Sequence, residues 1–213
     1  MTIKLFWQDP YRTELDTRVA HVSGEQVMLA ETILYALHGG QERDHGSIGA
    51  HPVLDAAWRG HAIAYTLPPA HGLRAGEAVR LSLDWTRRYR LMRLHFAAEL
   101  VLEIITRRLA GIEKIGAHIA ADKARIDFAW PCGIGAELPA IEQAVQALVQ
   151  ADLAIESAFT DAAAERRCWR IAGFAEVACG GTHPRRTGEV GRLALRRRNL
   201  GRGKERIEIS LPP

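Results

Sequence analysis

The sequence has 213 residues, of which 47% are hydrophobic and 25% are charged, and its formal net charge is +3. These values exclude a disordered or fibrous chain and leave room for one large domain or two small ones. No uncharged apolar run approaches the roughly 18 residues of a membrane helix, and Gln8 and Asp9 interrupt the short apolar stretch near the start, so we expect no membrane association and no signal peptide. Three scattered cysteines disfavour a disulfide scaffold and favour a reducing, cytoplasmic location.

The first part of the sequence, residues 1–83, is predicted to be rich in β-strands. Short apolar runs alternate there with turn residues such as Ser23-Gly24 and Pro68-Pro69, a spacing typical of a small barrel or a sandwich. The predicted strands cover residues 3–7, 18–22, 26–30, 62–67 and 78–83.

Residues 84–110 are predicted to form a long amphipathic helix. Leu91, Leu94 and Ala98 begin a series of apolar residues at steps of three and four, which is the period of a helix with one buried face. Asp84 is the predicted N-cap, and Gly111 is the predicted stop.

The rest of the sequence is predicted to mix strands and short helices. The predicted elements are a hairpin over 115–120 and 124–130, a helix over 139–150, a strand over 154–159, a short helix over 161–168, and a hairpin over 193–198 and 205–211. The fold class is therefore α+β, with helices packed on an antiparallel sheet.

Basic residues are concentrated in two segments. Residues 185–206 contain nine Lys or Arg against two acidic residues, Glu189 and Glu205, and so contribute +7. A second group, mid-chain, consists of Arg87, Arg88, Arg90 and Arg93. Clusters of this kind bind phosphates, although charge alone equally fits a solvated face.

The strongest chemical signal is a set of metal-binding residue types. His95 and Glu99 are four residues apart on the predicted helix, so their side chains project from one face. Cys179 and His183 flank two glycines that let the backbone fold tightly enough for both side chains to face one point. A thiolate, imidazoles and a carboxylate are ordinary ligands of Zn²⁺. Taken one by one, the same residues also fit a buried histidine, a solvated carboxylate and a simple turn.

These residues lie within longer motifs that together carry a family resemblance. The segments read CGGTH at 179–183, TGEVG at 187–191, DWTRRYRLMRLH at 84–95, and TILY, HGGQ and DHG at 32–35, 38–41 and 44–46. In this order, and over most of the chain, they resemble the CGGTH…TGEIG, DW…RR…LM..H and TxFYPEGGGQPxDxG motifs of alanyl-tRNA editing domains. The CGGTH element is specific to that family, and the glycine-rich loop is moderately so.

The resemblance implies a fold and an activity. The fold would be a small N-terminal β-barrel at 1–83, with the glycine-rich loop, joined to an α+β zinc-binding editing domain at 84–213. Because the chain has no room for an aminoacylation domain, it resembles the free-standing proteins of the family. Their function would be hydrolysis of the ester in wrongly charged tRNA(Ala), chiefly seryl-tRNA(Ala).

The resemblance also implies roles for particular residues. Zinc would be held by His95, Cys179 and His183, and the family's second helix histidine is Glu99 here. Gln41 would lie at the edge of the site. Thr32 matches a threonine that senses the serine hydroxyl, although a strand residue whose hydroxyl bonds the backbone is the alternative.

The sequence departs from the family motifs at a few positions, including Phe96, His38 and Ala36 besides Glu99. A carboxylate ligand lowers the Lewis acidity of a metal, so bound water would be acidified less than at a site with neutral ligands. Two alternatives therefore stay open: a related hydrolase of a different aminoacyl-tRNA or amino-acid ester, and an inactive tRNA-binding module.

A tRNA substrate implies contacts between arginines and phosphates. The best candidates by local density are Arg185, Arg186, Arg196 and Arg198, followed by Arg87 and Arg88. In the last predicted hairpin, Arg196 and Arg198 point to one face and Arg197 to the other. No obligate protein partner is evident from the sequence.

Overall fold

The computed structural model describes residues 2–212, which form two compact units divided within one long helix. The first unit comprises the residues up to His38 together with Glu42–Tyr89. The second comprises Gly39–Gln41 and the residues from Arg90 onward. The domains 1–83 and 84–213 inferred from the sequence remain a proposal. None of the helices formed by residues 2–212 is sufficiently long and apolar to cross a membrane.

The first unit is built from short antiparallel strands. In chain order they are β1 (Ile3–Lys4), β2 (Glu14–Ser23), β3 (Gln26–Leu29), β4 (Glu31–Thr32), β5 (Gly46–Ile48), β6 (His51–Pro52), β7 (Asp55–Arg59), β8 (Ala62–Thr66) and β9 (Ala78–Leu83). Seven of them form one antiparallel sheet in the order β6-β5-β9-β2-β3-β8-β7, and β1 pairs with β4 in parallel. The predicted strand at 3–7 is extended only over β1 and continues as a 3-10 turn at Leu5–Trp7.

The long strand β2 organises this sheet. Its first half pairs with β9 and its second half with β3, and the register shifts between Val19 and His21. Leu15, Thr17 and Val19 alternate toward the interior, where they join an apolar core confined to this unit. Among the described residues the paired strands form an open series from β6 to β7, so closure into the predicted barrel is not confirmed.

A buried ion pair lies beside the core of the first unit. The fully buried guanidinium of Arg88 makes a two-point contact with the carboxylate of Asp44, which is also fully buried in this pair. Arg88 also donates to the carbonyl oxygens of Pro10 (2.9 Å) and Ile33 (2.6 Å). The other partner of Asp44 Oδ2 is the amide of Tyr35, at 2.6 Å. Arg88 therefore ties three separate loop segments of this unit together.

The second unit contains the remaining elements. They are most of α1 (Trp85–Arg108), then β10 (Glu113–Ile119), β11 (Ala124–Ala129), α2 (Leu138–Gln150), β12 (Glu156–Asp161), β13 (Arg166–Ile171), β14 (Ala175–Ala178), β15 (Ala194–Gly201) and β16 (Lys204–Ser210). The strands form two antiparallel sheets, β10-β11-β16-β15 and β12-β13-β14. Apolar residues of both helices and both sheets share one core. Helices packed on antiparallel sheets are the α+β class predicted from the sequence.

The long helix begins where the sequence predicts. Asp84 Oδ1 accepts a hydrogen bond from the amide of Arg87 at 3.0 Å, which satisfies one of the unpaired donors of the first turn. The helix ends at Arg108, and Gly111 follows with a φ of 86°. Positive charge on Arg107 and Arg108 suits the negative end of the helix dipole.

The short helix predicted over 161–168 is wrong. These residues form the end of β12, a turn, and the start of β13, and the amide of Ala164 donates to Asp161 Oδ1 within the turn (3.0 Å). The run Ala162–Ala164 has high helix propensity, but pairing of β13 with β12 and β14 places Trp169 in the core instead. Tertiary pairing therefore overrides local propensity here.

Candidate metal centre

The long helix supplies two side chains of the candidate centre. His95 and Glu99 are one turn apart on α1, and both lie within the second unit. His95 Nε2 is 3.3 Å from Glu99 Oε1, and the His95 side chain is only 6% exposed. His95 and Glu99 therefore project from one face of the helix, as their spacing in the sequence predicts.

The loop after β14 brings two further side chains to the same place. The amide of Cys179 donates to the carbonyl of Arg167 (2.9 Å), which continues the β13–β14 pairing to the start of the loop. Cys179 Sγ lies 3.3 Å from His183 Nε2, 3.6 Å from His95 Nε2 and 3.7 Å from Glu99 Oε1. Ligand atoms of His95, Cys179 and His183 all lie within 4.8 Å of one another. The structure thus gathers residues that are 84 positions apart in the sequence.

Two residues that sequence reasoning missed orient members of this cluster. The indole Nε1 of Trp169, on β13, donates to Glu99 Oε2 at 3.2 Å and leaves Oε1 facing Cys179. Ser157, on β12, has its hydroxyl 3.2 Å from His183 Nδ1, so Nε2 of that ring faces Cys179. Hydrogen bonds of this kind fix the ring and carboxylate orientations at metal sites. The sequence patterns give no signal for either contact, and the predicted elements do not place Trp169 in a strand.

The cluster favours negative charge on Cys179 and Glu99. Burial alone would raise the pKa of Cys179, but the neighbouring imidazoles outweigh it and lower that pKa to about 6. Burial likewise opposes ionisation of Glu99, yet His95 lowers the pKa of its carboxyl to about 2. Burial disfavours the imidazolium form of His95, but Cys179 and Glu99 raise the His95 pKa to about 10. A positive charge located between the Cys179 thiolate and the Glu99 carboxylate therefore stabilises the cluster.

The donor set fits a zinc ion. One thiolate, two imidazoles and one carboxylate oxygen are ordinary zinc ligands, and four such donors suit the tetrahedral coordination of Zn²⁺. A divalent cation would also meet the preference for positive charge at the centre of the cluster.

Gln41 joins the glycine-rich loop to the candidate centre. Its side-chain Nε2 donates to Thr182 Oγ1 at 2.9 Å, and its Oε1 accepts from the Thr182 amide at 3.2 Å. Both residues are buried and both belong to the second unit. The structure therefore places Gln41 against the loop that carries Cys179 and His183, and its part in catalysis remains a proposal.

Gly181 allows the His95 ring to pack directly on the loop. A methyl group built on Gly181 would overlap the His95 ring and would lie 2.8 Å from Gln41 Oε1, whereas one built on Gly180 would meet nothing within 4 Å.

We expect Gly181→Ala to displace His95 and to weaken zinc binding by at least about 10-fold, with Gly180→Ala as the matched control. Competition of each variant with a chromogenic chelator measures this, and equal affinities in the two variants would show that the close approach does not matter.

Thr32 lies in the first unit and is fully buried. Its hydroxyl is 2.6 Å from the Tyr65 hydroxyl and accepts a hydrogen bond from the Leu34 amide at 3.1 Å. These contacts match the alternative left open from the sequence, a strand residue whose hydroxyl is satisfied within the fold.

The predicted phosphate-binding arginines differ in how accessible they are. Arg88 is fully buried in its pair with Asp44, so we withdraw it from the set that contacts RNA. Arg87 is partly buried and pairs with Glu42 at 2.6 Å, and Arg186 pairs with Asp152 at 2.7 Å. Arg186 is nevertheless exposed, as are Arg185, Arg196 and Arg198.

Comparison with known proteins identifies relatives along nearly the whole chain. No family model matches the sequence. The sequence is 28% identical over 223 residues to the alanyl-tRNA editing protein AlaX-M of Pyrococcus horikoshii, covering 99% of this chain and 98% of that protein. It is 27% identical over 244 residues to AlaX-M of Methanosarcina mazei, with 99% and 97% coverage.

A longer protein contains a similar segment. The alanine–tRNA ligase of Korarchaeum cryptofilum is 32% identical over 239 residues, which cover 97% of this chain but only 26% of the ligase. The end-to-end similarity to the AlaX-M proteins agrees with the motifs at the candidate centre. The chain is thus similar from end to end to the AlaX-M alanyl-tRNA editing proteins, at 27–28% identity.

Proposed function

We propose that this protein is a hydrolase that removes the amino acid from mischarged tRNA, with seryl-tRNA(Ala) as its main substrate. The observation that carries the proposal is the cluster of His95, Cys179 and His183, whose ligand atoms lie within 4.8 Å of one another, in a chain related end to end to alanyl-tRNA editing proteins. Glu99 Oε1 lies beside this cluster, 3.7 Å from Cys179 Sγ. The same relationship supports tRNA as the partner and the cytoplasm as the location. It also supports a small β-barrel as the architecture of the first unit.

The chemistry required is modest because an aminoacyl ester is already labile. The protein must position water against the ester carbonyl and stabilise the negative charge that develops on its oxygen. His95, Glu99, Cys179 and His183 would hold Zn²⁺, which supplies Lewis acidity toward water or a carbonyl oxygen. Trp169 and Ser157 hold Glu99 and His183 in place, and Gln41 fixes the intervening loop through Thr182.

Discrimination between serine and alanine needs a polar group that only serine satisfies. A site that hydrogen-bonds a hydroxyl rejects the analogue without it, because a buried polar group is then left unpaired. On the family resemblance alone we propose Thr32 for this role, in which a serine hydroxyl would replace the Tyr65 hydroxyl that Thr32 contacts in this structure. Exposed arginines, among them Arg185, Arg196 and Arg198, are proposed to contact the phosphates of the tRNA.

The direct test is deacylation of tRNA(Ala) that carries radiolabelled serine or alanine. We expect loss of serine well above the spontaneous rate, slower loss of alanine, and about one zinc ion per chain in protein purified without chelators. Loss of seryl ester at the spontaneous rate, with zinc bound, would contradict the proposed substrate.

Glu99 favours a second candidate, a related hydrolase acting on another aminoacyl-tRNA or on an amino-acid ester. A carboxylate in the ligand set makes the bound ion a weaker Lewis acid than one with neutral ligands alone. Water bound to the ion would then be acidified less. A panel of other charged tRNAs and small amino-acid esters separates the two candidates. Binding of tRNA without hydrolysis of any ester, in protein that holds no zinc, would instead identify an inactive tRNA-binding module.

A further inference from the structure

The four-stranded sheet of the second unit has one apolar face and one charged face. Ile126, Phe128, Ile207 and Ile209 point into the core. Because side chains alternate along a strand, the intervening residues point away from that core. Four of them are arginines, namely Arg125, Arg196, Arg198 and Arg206. Together with Lys123, which lies in the turn before β11 and pairs with Glu208, they define what we call the basic face.

The basic face has more cations than its own carboxylates neutralise. Asp127 and Glu208 lie among the five cations, and Lys204 offsets Glu113 at the two positions paired with Ala129, which leaves a net charge of +3. Asp127 pairs with both Arg125 and Arg206, the latter at 2.6 Å. Glu208 is shared in the same way, by Lys123 at 2.9 Å and Arg198 at 3.7 Å.

Arg197, on the other face of the same strand, shows the contrast. It forms a two-point pair with one carboxylate, Glu205, through bonds of 2.6 and 2.5 Å. One guanidinium and one carboxylate balance there, and the Glu205 side chain is only 4% exposed. Alternation along β15 thus separates a closed ion pair from a surface with excess positive charge.

Two arginines on the basic face oppose each other directly. Arg198 and Arg206 are register partners across the β15–β16 pair. Like charges at directly opposite positions destabilise a strand pair, and the carboxylates beside these two, Asp127 and Glu208, are each shared with a second cation. Arg196, two residues along β15, extends the same positive row and is exposed. The arrangement suits a ligand with several regularly spaced negative charges.

The sheet also links this face to the candidate metal centre. Its far edge is β10, where Gln41 forms a bridge to Ile119 and the Ile119 amide donates to Gly40 at 2.8 Å. Gln41 in turn bonds Thr182 in the loop between Cys179 and His183. From β15 to Gln41 is four strand spacings, or about 19 Å. A chain lying across the sheet from β15 therefore reaches the edge at which Gln41 bonds that loop.

We propose that the basic face binds the phosphate backbone of the RNA substrate and leads its aminoacylated end toward Thr182. This inference rests on the proposed function, because it takes tRNA as the ligand. It adds Lys123, Arg125 and Arg206 to the phosphate-binding residues inferred from sequence. Double-stranded RNA is recognised largely through phosphates and sugar hydroxyls, for which a flat basic sheet face is suited.

The test compares two double variants with equal loss of charge. Arg196→Gln with Arg198→Gln alters the basic face, and Arg59→Gln with Arg74→Gln removes two exposed arginines of the first unit. The probe is tRNA(Ala) without an attached amino acid, and its binding is measured by filter retention at several salt concentrations. We expect the first double variant to bind roughly 10-fold more weakly at low salt, with the slope of log affinity against log salt reduced by about two. The control pair should match wild type.

The outcomes separate failure of this inference from failure of the proposed function. Wild-type affinity in the Arg196/Arg198 variant, or equal losses in both double variants, would overturn the basic face as the RNA site. A selective loss supports it. The proposed function is judged independently, by whether wild-type protein releases amino acid from charged tRNA.

Discussion

Cys179→Ala will remove both the zinc and the deacylation activity. Cys179 Sγ contacts a donor atom of each of the other three residues, at 3.3 Å from His183, 3.6 Å from His95 and 3.7 Å from Glu99. Its loss removes the one thiolate and leaves two imidazoles and a single carboxylate. Changes outside the ligand shell already cost 10- to 100-fold at metal sites, so we expect loss of a ligand to lower the deacylation rate by at least about 100-fold.

Cys132→Ala is the matched control, because that thiol is exposed and lies outside the cluster. Metal content by plasma emission spectrometry and release of serine from tRNA(Ala) are measured on the same preparations. We expect under about 0.1 zinc per chain in Cys179→Ala and wild-type values in Cys132→Ala. If Cys179→Ala keeps its zinc and its rate, the reaction does not depend on this cluster.

Local sequence signals predicted the long helix and the hairpins because each carries its own pattern. The apolar period after Leu91 and the cap at Asp84 specify α1 without reference to the rest of the chain. The predicted hairpins at 115–130 and 193–211 are confirmed as β10–β11 and β15–β16, within a few residues. The error at 161–168 arose where the deciding interactions are contacts with β12 and β14, which no local period reveals.

The ligand candidates were predictable, whereas the residues that orient them were not. Spacing of four placed His95 with Glu99 and Cys179 with His183, and the family motifs joined the two pairs. Trp169 bonds Glu99 across 70 positions of sequence, and Ser157 bonds His183 from another strand. Such contacts depend on the pairing of whole strands, so a single sequence without an alignment gives no signal for them.

The accessibility of Arg88 was predictable in part. Arg87 and Arg88 read alike in a basic run, but Arg88 lies three residues before Leu91 and seven before His95, in phase with the buried face of α1. Charge led to its assignment as a surface cation. The helical periodicity does not predict the ion-pair partner of Arg88, because Asp44 lies in the glycine-rich loop segment, 44 residues earlier in the sequence.

Arg88→Met will destabilise the first unit by about 3–5 kcal/mol. Removing one member of a buried ion pair leaves the other charge without compensation, and that cost exceeds the net value of the pair. Here the stranded group is the fully buried carboxylate of Asp44, and the carbonyls of Pro10 and Ile33 lose their donors as well. The free energy of unfolding from urea titration, followed by tryptophan fluorescence, measures the effect.

Two further variants make the cause specific. Arg87→Met changes the neighbouring arginine, whose pair with Glu42 is partly solvated, and should cost at most about 1 kcal/mol. Adding Asp44→Asn to Arg88→Met removes the stranded charge, so the double variant should be more stable than Arg88→Met alone. Additive losses, with the double variant the least stable of the set, would mean that lost packing rather than the unpaired carboxylate sets the cost.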